Sequence, residues 1–184
     1  MKRRTRIILL VCAVIIAVAC IRVYPAIRII TNWNLHGAAT AFGDLDRFMP
    51  SETPSSSKLG IPHHFFDESE FWKALIFSRR AIIHGHAFHS GDWISEDQSK
   101  EIGTILSDPS SYKASVGESM CGGFHADFYF RWEDSEEAII CLGCGEVLLI
   151  KSGAKFHCNL ERSVHDRLIQ ISKEAEQAVH GSTN

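Results

Sequence analysis

Several signatures of catalysis are missing from this sequence. It has no nucleophile elbow, no dinucleotide fingerprint and no H-E-x-x-H helix, and Gly122-Gly123 is too short to cradle a phosphate. An enzyme is therefore not the first expectation, and no internal repeat points to a solenoid. Acidic residues are missing from the first thirty positions, which carry six basic side chains: Lys2, Arg3, Arg4, Arg6, Arg22 and Arg28. The other thirteen basic residues face all 22 acids, a net charge of −9. A body that acidic repels phosphate backbones and no basic stripe offsets it, so nucleic acid is not an expected partner.

Polar side chains are missing between Ile7 and Ile21, an unbroken apolar run bounded by Arg6 and Arg22. The basic start, residues 1–6, is expected to stay in the cytoplasm, with residues 7–24 as a single-pass anchor or signal segment. Val23 and Tyr24 extend the run if Arg22 snorkels toward the headgroups. Two alternatives compete with an uncleaved anchor. Cleavage after Ala17-Val18-Ala19 would release a secreted domain, and Ile16-Ala17-Val18-Ala19-Cys20 is a loose lipobox that makes Cys20 a candidate for lipidation. All three readings put the bulk of the chain outside the cytoplasm, and the anchor and lipid readings make the membrane a partner.

Residues 25–58 are expected to form a spacer, because Pro50–Ser57 is too polar to bury a core of its own. An extracytoplasmic domain is expected over 59–184. Its class is predicted as α+β, an antiparallel sheet packed by at least two helices and preceded by the N-terminal membrane helix or signal segment. Two apolar stretches, Phe71–Phe77 and Ala81–Phe88, suit two strands or a short helix and a strand, with the second read as a strand. Ser95–Leu106 predicts a helix: Ser95 and Gln98 have capping-box spacing, Glu96 and Asp97 suit the positive end of the dipole, and Pro109 ends it. From Phe124 to Trp132 the pattern alternates, which predicts a strand with Phe124, Ala126, Phe128, Phe130 and Trp132 on its buried face. Glu133–Glu136 reads as a turn, Ala138–Leu142 as the returning strand and Val147–Lys151 as a further strand or a bent continuation of it. Leu160, Val164, Leu168, Ile171, Ala175 and Ala178 fall on one helical stripe.

The most suggestive string is Cys141-Leu-Gly-Cys144-Gly145, a turn able to offer two thiolates to one metal. With Cys121 and His125 it would make a Cys3His zinc site, zinc being the candidate cofactor. A four-residue turn sets Trp132 opposite Glu137, Phe128 opposite Cys141 and His125 opposite Cys144. Cys121 joins them only if Gly122-Gly123 folds it back. The same fold brings Cys121 within bridging distance of Cys144 or Cys141, and outside the cytoplasm a disulfide such as Cys121–Cys144 is favoured. A thiol oxidoreductase fits less well, since a strand follows Cys144 where a thiol-activating helix would be wanted. His84-Gly-His86 sets two imidazoles on one strand face, with His89, Asp92 and Glu96 nearby, and a solvated face is the plainer reading. Asp127 and Glu146 are expected at the surface, and His157 is a rival ligand.

Cys121-Gly-Gly-Phe-His-Ala-Asp127, then Arg131-Trp132, then Ile140-Cys-Leu-Gly-Cys144 resembles a segment of uncharacterised bacterial membrane-anchored and lipoprotein-like proteins. The resemblance covers about 25 residues. It implies the strand–turn–strand layout and an extracytoplasmic setting, and no activity. The function expected from sequence is thus a membrane-tethered structural or interaction module, with a small zinc-binding domain as the alternative and a thiol oxidoreductase after that.

Overall fold

The computed structural model describes residues 8–18, 20–21, 38, 41–51, 53–60, 80–89, 94–115, 124–133 and 135–181. The fold is α+β, built on a large antiparallel sheet. Among the described residues there are eight strands: β1 (Ser56–Leu59), β2 (Arg80–Ile83), β3 (His86–His89), β4 (Tyr112–Lys113), β5 (Phe128–Arg131), β6 (Glu136–Cys141), β7 (Glu146–Lys151) and β8 (Ala154–Leu160). Six form one sheet in the order β1-β5-β6-β7-β8-β4, while β2 and β3 make a separate hairpin. Two helices follow β3 and β8, α1 (Glu96–Leu106) and α2 (Arg162–Gly181).

Both faces of the large sheet are apolar, as a sheet covered on two sides requires. One face carries Phe128, Phe130, Ala138, Ile140, Val147, Leu149, Phe156, Cys158 and Leu160. Ile102 and Leu106 of α1 and Leu168 and Ile171 of α2 close over it. The other face carries Tyr129, Ile139, Cys141, Leu148 and Ile150, packed with Phe88, Phe124 and Ala126. Alternation along each strand produces this division, since successive side chains point to opposite sides.

Helix α1 starts as its sequence predicts. Ser95 accepts from the Gln98 amide and Gln98 reciprocates to the Ser95 amide, completing the capping box. Helix α2 buries Leu168, Ile171 and Ala175. Leu160 belongs instead to the end of β8, one element earlier than its helical spacing suggests. The alternation of Phe156, Cys158 and Leu160 against His157 and Asn159 is the strand signal there.

Four further expectations are corrected. The stretch Ala81–Phe88 is a hairpin: His84 and Gly85 take φ of 49° and 83°, the backbone of a two-residue turn whose twist matches its strands. His84 therefore sits in the turn, where Nε2 meets Glu137 Oε2 at 2.5 Å, while His86 points inward and is buried. The second correction is the β5–β6 register. Arg131 pairs with Glu137 and Phe128 with Ile140, one residue off the expected pairing. Trp132 N already donates to Glu136 O at 2.9 Å, which leaves three residues in the connection, with Ser135 at φ 59°. A one-residue shift exchanges faces, so Cys141 lies opposite the main core rather than within it.

The third correction concerns Phe124 and Ala126, which precede the strand and pack on the second face, away from Phe128. The fourth is the spacer. A 3-10 turn at Phe42–Arg47 buries Leu45, Phe48 stacks on Phe156 at 5.2 Å, and β1 pairs with β5 from Ser56. Apolar residues in this short stretch find the core even though the polar segment beside them cannot form one.

Residues 8–18 and 20–21 are helical. Ile8, Leu9, Leu10, Val11, Val14, Ile15, Ile16, Val18 and Ile21 are each more than half exposed. Among the described residues, no helix is long and apolar enough to cross a membrane. Phe71–Phe77 lies outside the described residues.

Candidate functional site

Strand β6 ends on Cys141 and β7 begins on Glu146, which face each other in the register. Leu142-Gly143-Cys144-Gly145 makes the connection, closed by Gly145 N donating to Cys141 O at 2.9 Å. Gly145 adopts φ +70°, a left-handed backbone that glycine takes without strain, and it packs beside the His165 ring, which a Cβ there would meet at an ordinary 3.5 Å.

Three elements hold this turn in place. From the approach to β5, Asp127 Oδ2 accepts from Leu142 N at 2.6 Å. From α2, His165 Nε2 meets Leu142 O at 2.6 Å. From β8, Leu160 N donates to Gly145 O at 2.7 Å. Asp127 is itself bound at both backbone groups: its N–H donates to Ile140 O at 2.8 Å, and its carbonyl accepts from Gly60 N at 2.7 Å. Burial pushes the Asp127 carboxyl up to about 6, although the Leu142 and Gly143 amides pull the other way. Asp127 is thus buried rather than solvated, as is Glu146 at 2% exposure.

The side chains of the turn converge on sulfur. Cys144 Sγ donates to Glu146 Oε2 at 3.0 Å and stands 3.2 Å from Cys141 Sγ. On the far side of Cys141, His125 Nδ1 is 3.8 Å from its sulfur. Behind Glu146, His157 Nε2 lies 3.5 Å from Oε1, in ion-pair range but long for a hydrogen bond. Cys141 is fully buried, whereas Cys144 is half-buried and its neighbour Gly143 exposed.

Three of the four residues proposed from sequence as zinc ligands, His125, Cys141 and Cys144, are thus brought together. Cys121 lies outside the described residues, and with it the expected Cys121–Cys144 bridge. Among the described residues, no group of three or more His, Cys, Asp and Glu side chains is placed to hold a metal ion. The turn amides also matter, because those of Leu142 and Gly143 serve Asp127. A zinc-binding turn would free such donors toward its thiolates.

The other candidates separate. Cys158 sits on the opposite face of the sheet, and burial pushes its thiol up to about 12. His84 and His86 do not share a face, and Glu96 pairs with Lys100 at 3.0 Å rather than with a histidine. His86 packs edge-on to Phe124, and its Nε2 has no hydrogen-bond partner among the described residues. Burial, aided by His84, His125 and Lys155, lowers its pKa to about 4. The sequence reading undervalued Glu146. Its place at +2 from Cys144, at the head of a strand, was the available signal.

No family model, no curated protein and no solved structure matches the chain.

Proposed function

We propose that the protein is a membrane-tethered domain facing out of the cytoplasm, in which Cys141 and Cys144 switch between a dithiol and a disulfide. The tether rests on the basic start and on the apolar residues of 8–21, which nothing in the fold covers among the described residues. The carrying observation is the 3.2 Å separation of the two sulfurs, with the thiol of Cys144 donating to a buried carboxylate. A pair in contact needs little movement to bond, and an oxidising compartment favours the bond.

The test is equilibration of the full chain in detergent with mixtures of reduced and oxidised glutathione, followed by peptide mapping. Two thiols lost together and a Cys141–Cys144 cross-linked peptide support the reading. Thiols that stay reduced at every ratio overturn it and return the domain to a purely structural or interaction role. A reporter fused to the C-terminus checks orientation, and activity confined to the cytosol would overturn the placement outside the cytoplasm.

A second reading is zinc held by Cys121, His125, Cys141 and Cys144. The 3.8 Å between His125 Nδ1 and Cys141 Sγ favours it, since ligands of a tetrahedral zinc bound at about 2.3 Å from sulfur sit roughly that far apart. One zinc per chain by metal analysis, with thiols that label only after chelation, would choose it over the dithiol.

A further inference from the structure

We infer, resting on the dithiol reading, that Cys144 is the attacking thiol, Cys141 the resolving thiol and Glu146 the proton acceptor, and that the substrate is a disulfide of low molecular mass. Access decides the order. Cys141 is fully buried, whereas Cys144 is half-buried. The exposed residue beside Cys144 is Gly143, so an incoming sulfur meets backbone rather than a side chain. Only one of the two thiols can be reached first.

The chemistry follows the contacts. Cys144 passes its proton to Glu146 Oε2, 3.0 Å away. The thiolate attacks one sulfur of R–S–S–R; that S–S bond breaks, a Cys144–S–R bond forms, and the departing thiolate takes up the proton as R–SH. Cys141, 3.2 Å from Cys144 Sγ, then attacks that sulfur. The Cys144–SR bond breaks, the Cys141 proton leaves with the second R–SH, and the protein keeps an intramolecular disulfide. The sum is protein dithiol plus R–S–S–R giving protein disulfide plus two R–SH. His157 stands 3.5 Å behind Glu146 and is 7% exposed, closing the far side of the carboxylate from solvent.

Oxidised glutathione is the probe. With Cys141→Ser in the full chain, the mixed disulfide is expected to accumulate on Cys144. With Cys144→Ser, no adduct is expected on Cys141. Glu146→Gln, nearly isosteric, is expected to slow adduct formation about tenfold or more, because the amide cannot take up the proton as the sulfur attacks. Circular dichroism checks that each variant folds. If Cys141→Ser does not, brief exposure of the wild-type chain followed by acid quench and mapping locates the first adduct. An adduct on Cys141, or an unchanged rate with Glu146→Gln, overturns this assignment while the wild-type Cys141–Cys144 disulfide still forms. If that disulfide never forms, the dithiol reading itself falls.

Discussion

His86 offers the sharpest link between burial and pH. Its ring is 5% exposed, and its folded pKa is lowered to about 4 from 6.5. Between those values the unfolded chain binds the proton more readily, so stability is full above pH 6.5 and drains away as the pH falls toward 4. At pH 5 the two-state linkage expression gives a loss of about 2 kcal/mol relative to pH 7.5. Asp127 opposes it: its folded pKa is raised to about 6, so its contribution becomes less favourable as pH rises from 3.8 to 6. The wild-type profile alone therefore mixes two signs, and a comparison is needed. His86→Leu removes only the imidazole, whose Nε2 has no hydrogen-bond partner among the described residues. Urea unfolding of both chains at pH 7.5 and pH 5 should show the variant gaining about 2 kcal/mol relative to wild type at the lower pH. Parallel profiles would mean that His86 protonates freely in the folded state, and the buried placement of β3 would be wrong.

Three other outcomes follow from the packing. Gly60→Ala would set a Cβ 1.7 Å from Ala126 O, backbone against backbone; a loss above about 3 kcal/mol in chemical denaturation is expected, and a neutral result would refute the close approach. Ser95→Ala removes the capping box of α1 and should cost about 1 kcal/mol by the same measurement. A chain beginning at residue 59 lacks Leu45, Phe48 and most of β1, so it should melt well below one beginning at 38; equal melting would restore the spacer to its expected length.

Much of the fold was legible because its signals are local. The capping residues of α1, the apolar stripe of α2 and the alternation of β5 can be read without knowing any partner. What escaped depends on pairing. A connection of three residues rather than four moved Cys141 to the other face, and no propensity near Glu133 distinguishes the two lengths. His84-Gly85 hid a hairpin because a histidine took a turn position at positive φ, where asparagine or glycine is the usual signal. At the site, Cys141 and Cys144 announce themselves by spacing. Glu146 does not, since a glutamate opening a strand looks solvated until β8 is known to lie beside it. Asp127 is similar: its role comes from Leu142, fifteen residues away in the turn that follows β6.

The attachment of the Leu142–Gly145 turn to Asp127, His165 and Leu160 bears on how the domain would respond to oxidation. Fastened to a neighbouring strand, to a helix and to a second strand, the loop behaves as a clamped bracket rather than a hinge. Bringing two sulfurs together on such a bracket is a matter of rotating side chains while the scaffold stays where it is. A change in redox state would then be felt first by whatever touches the tip, and within the domain by the three elements that hold the turn, α2 among them through His165.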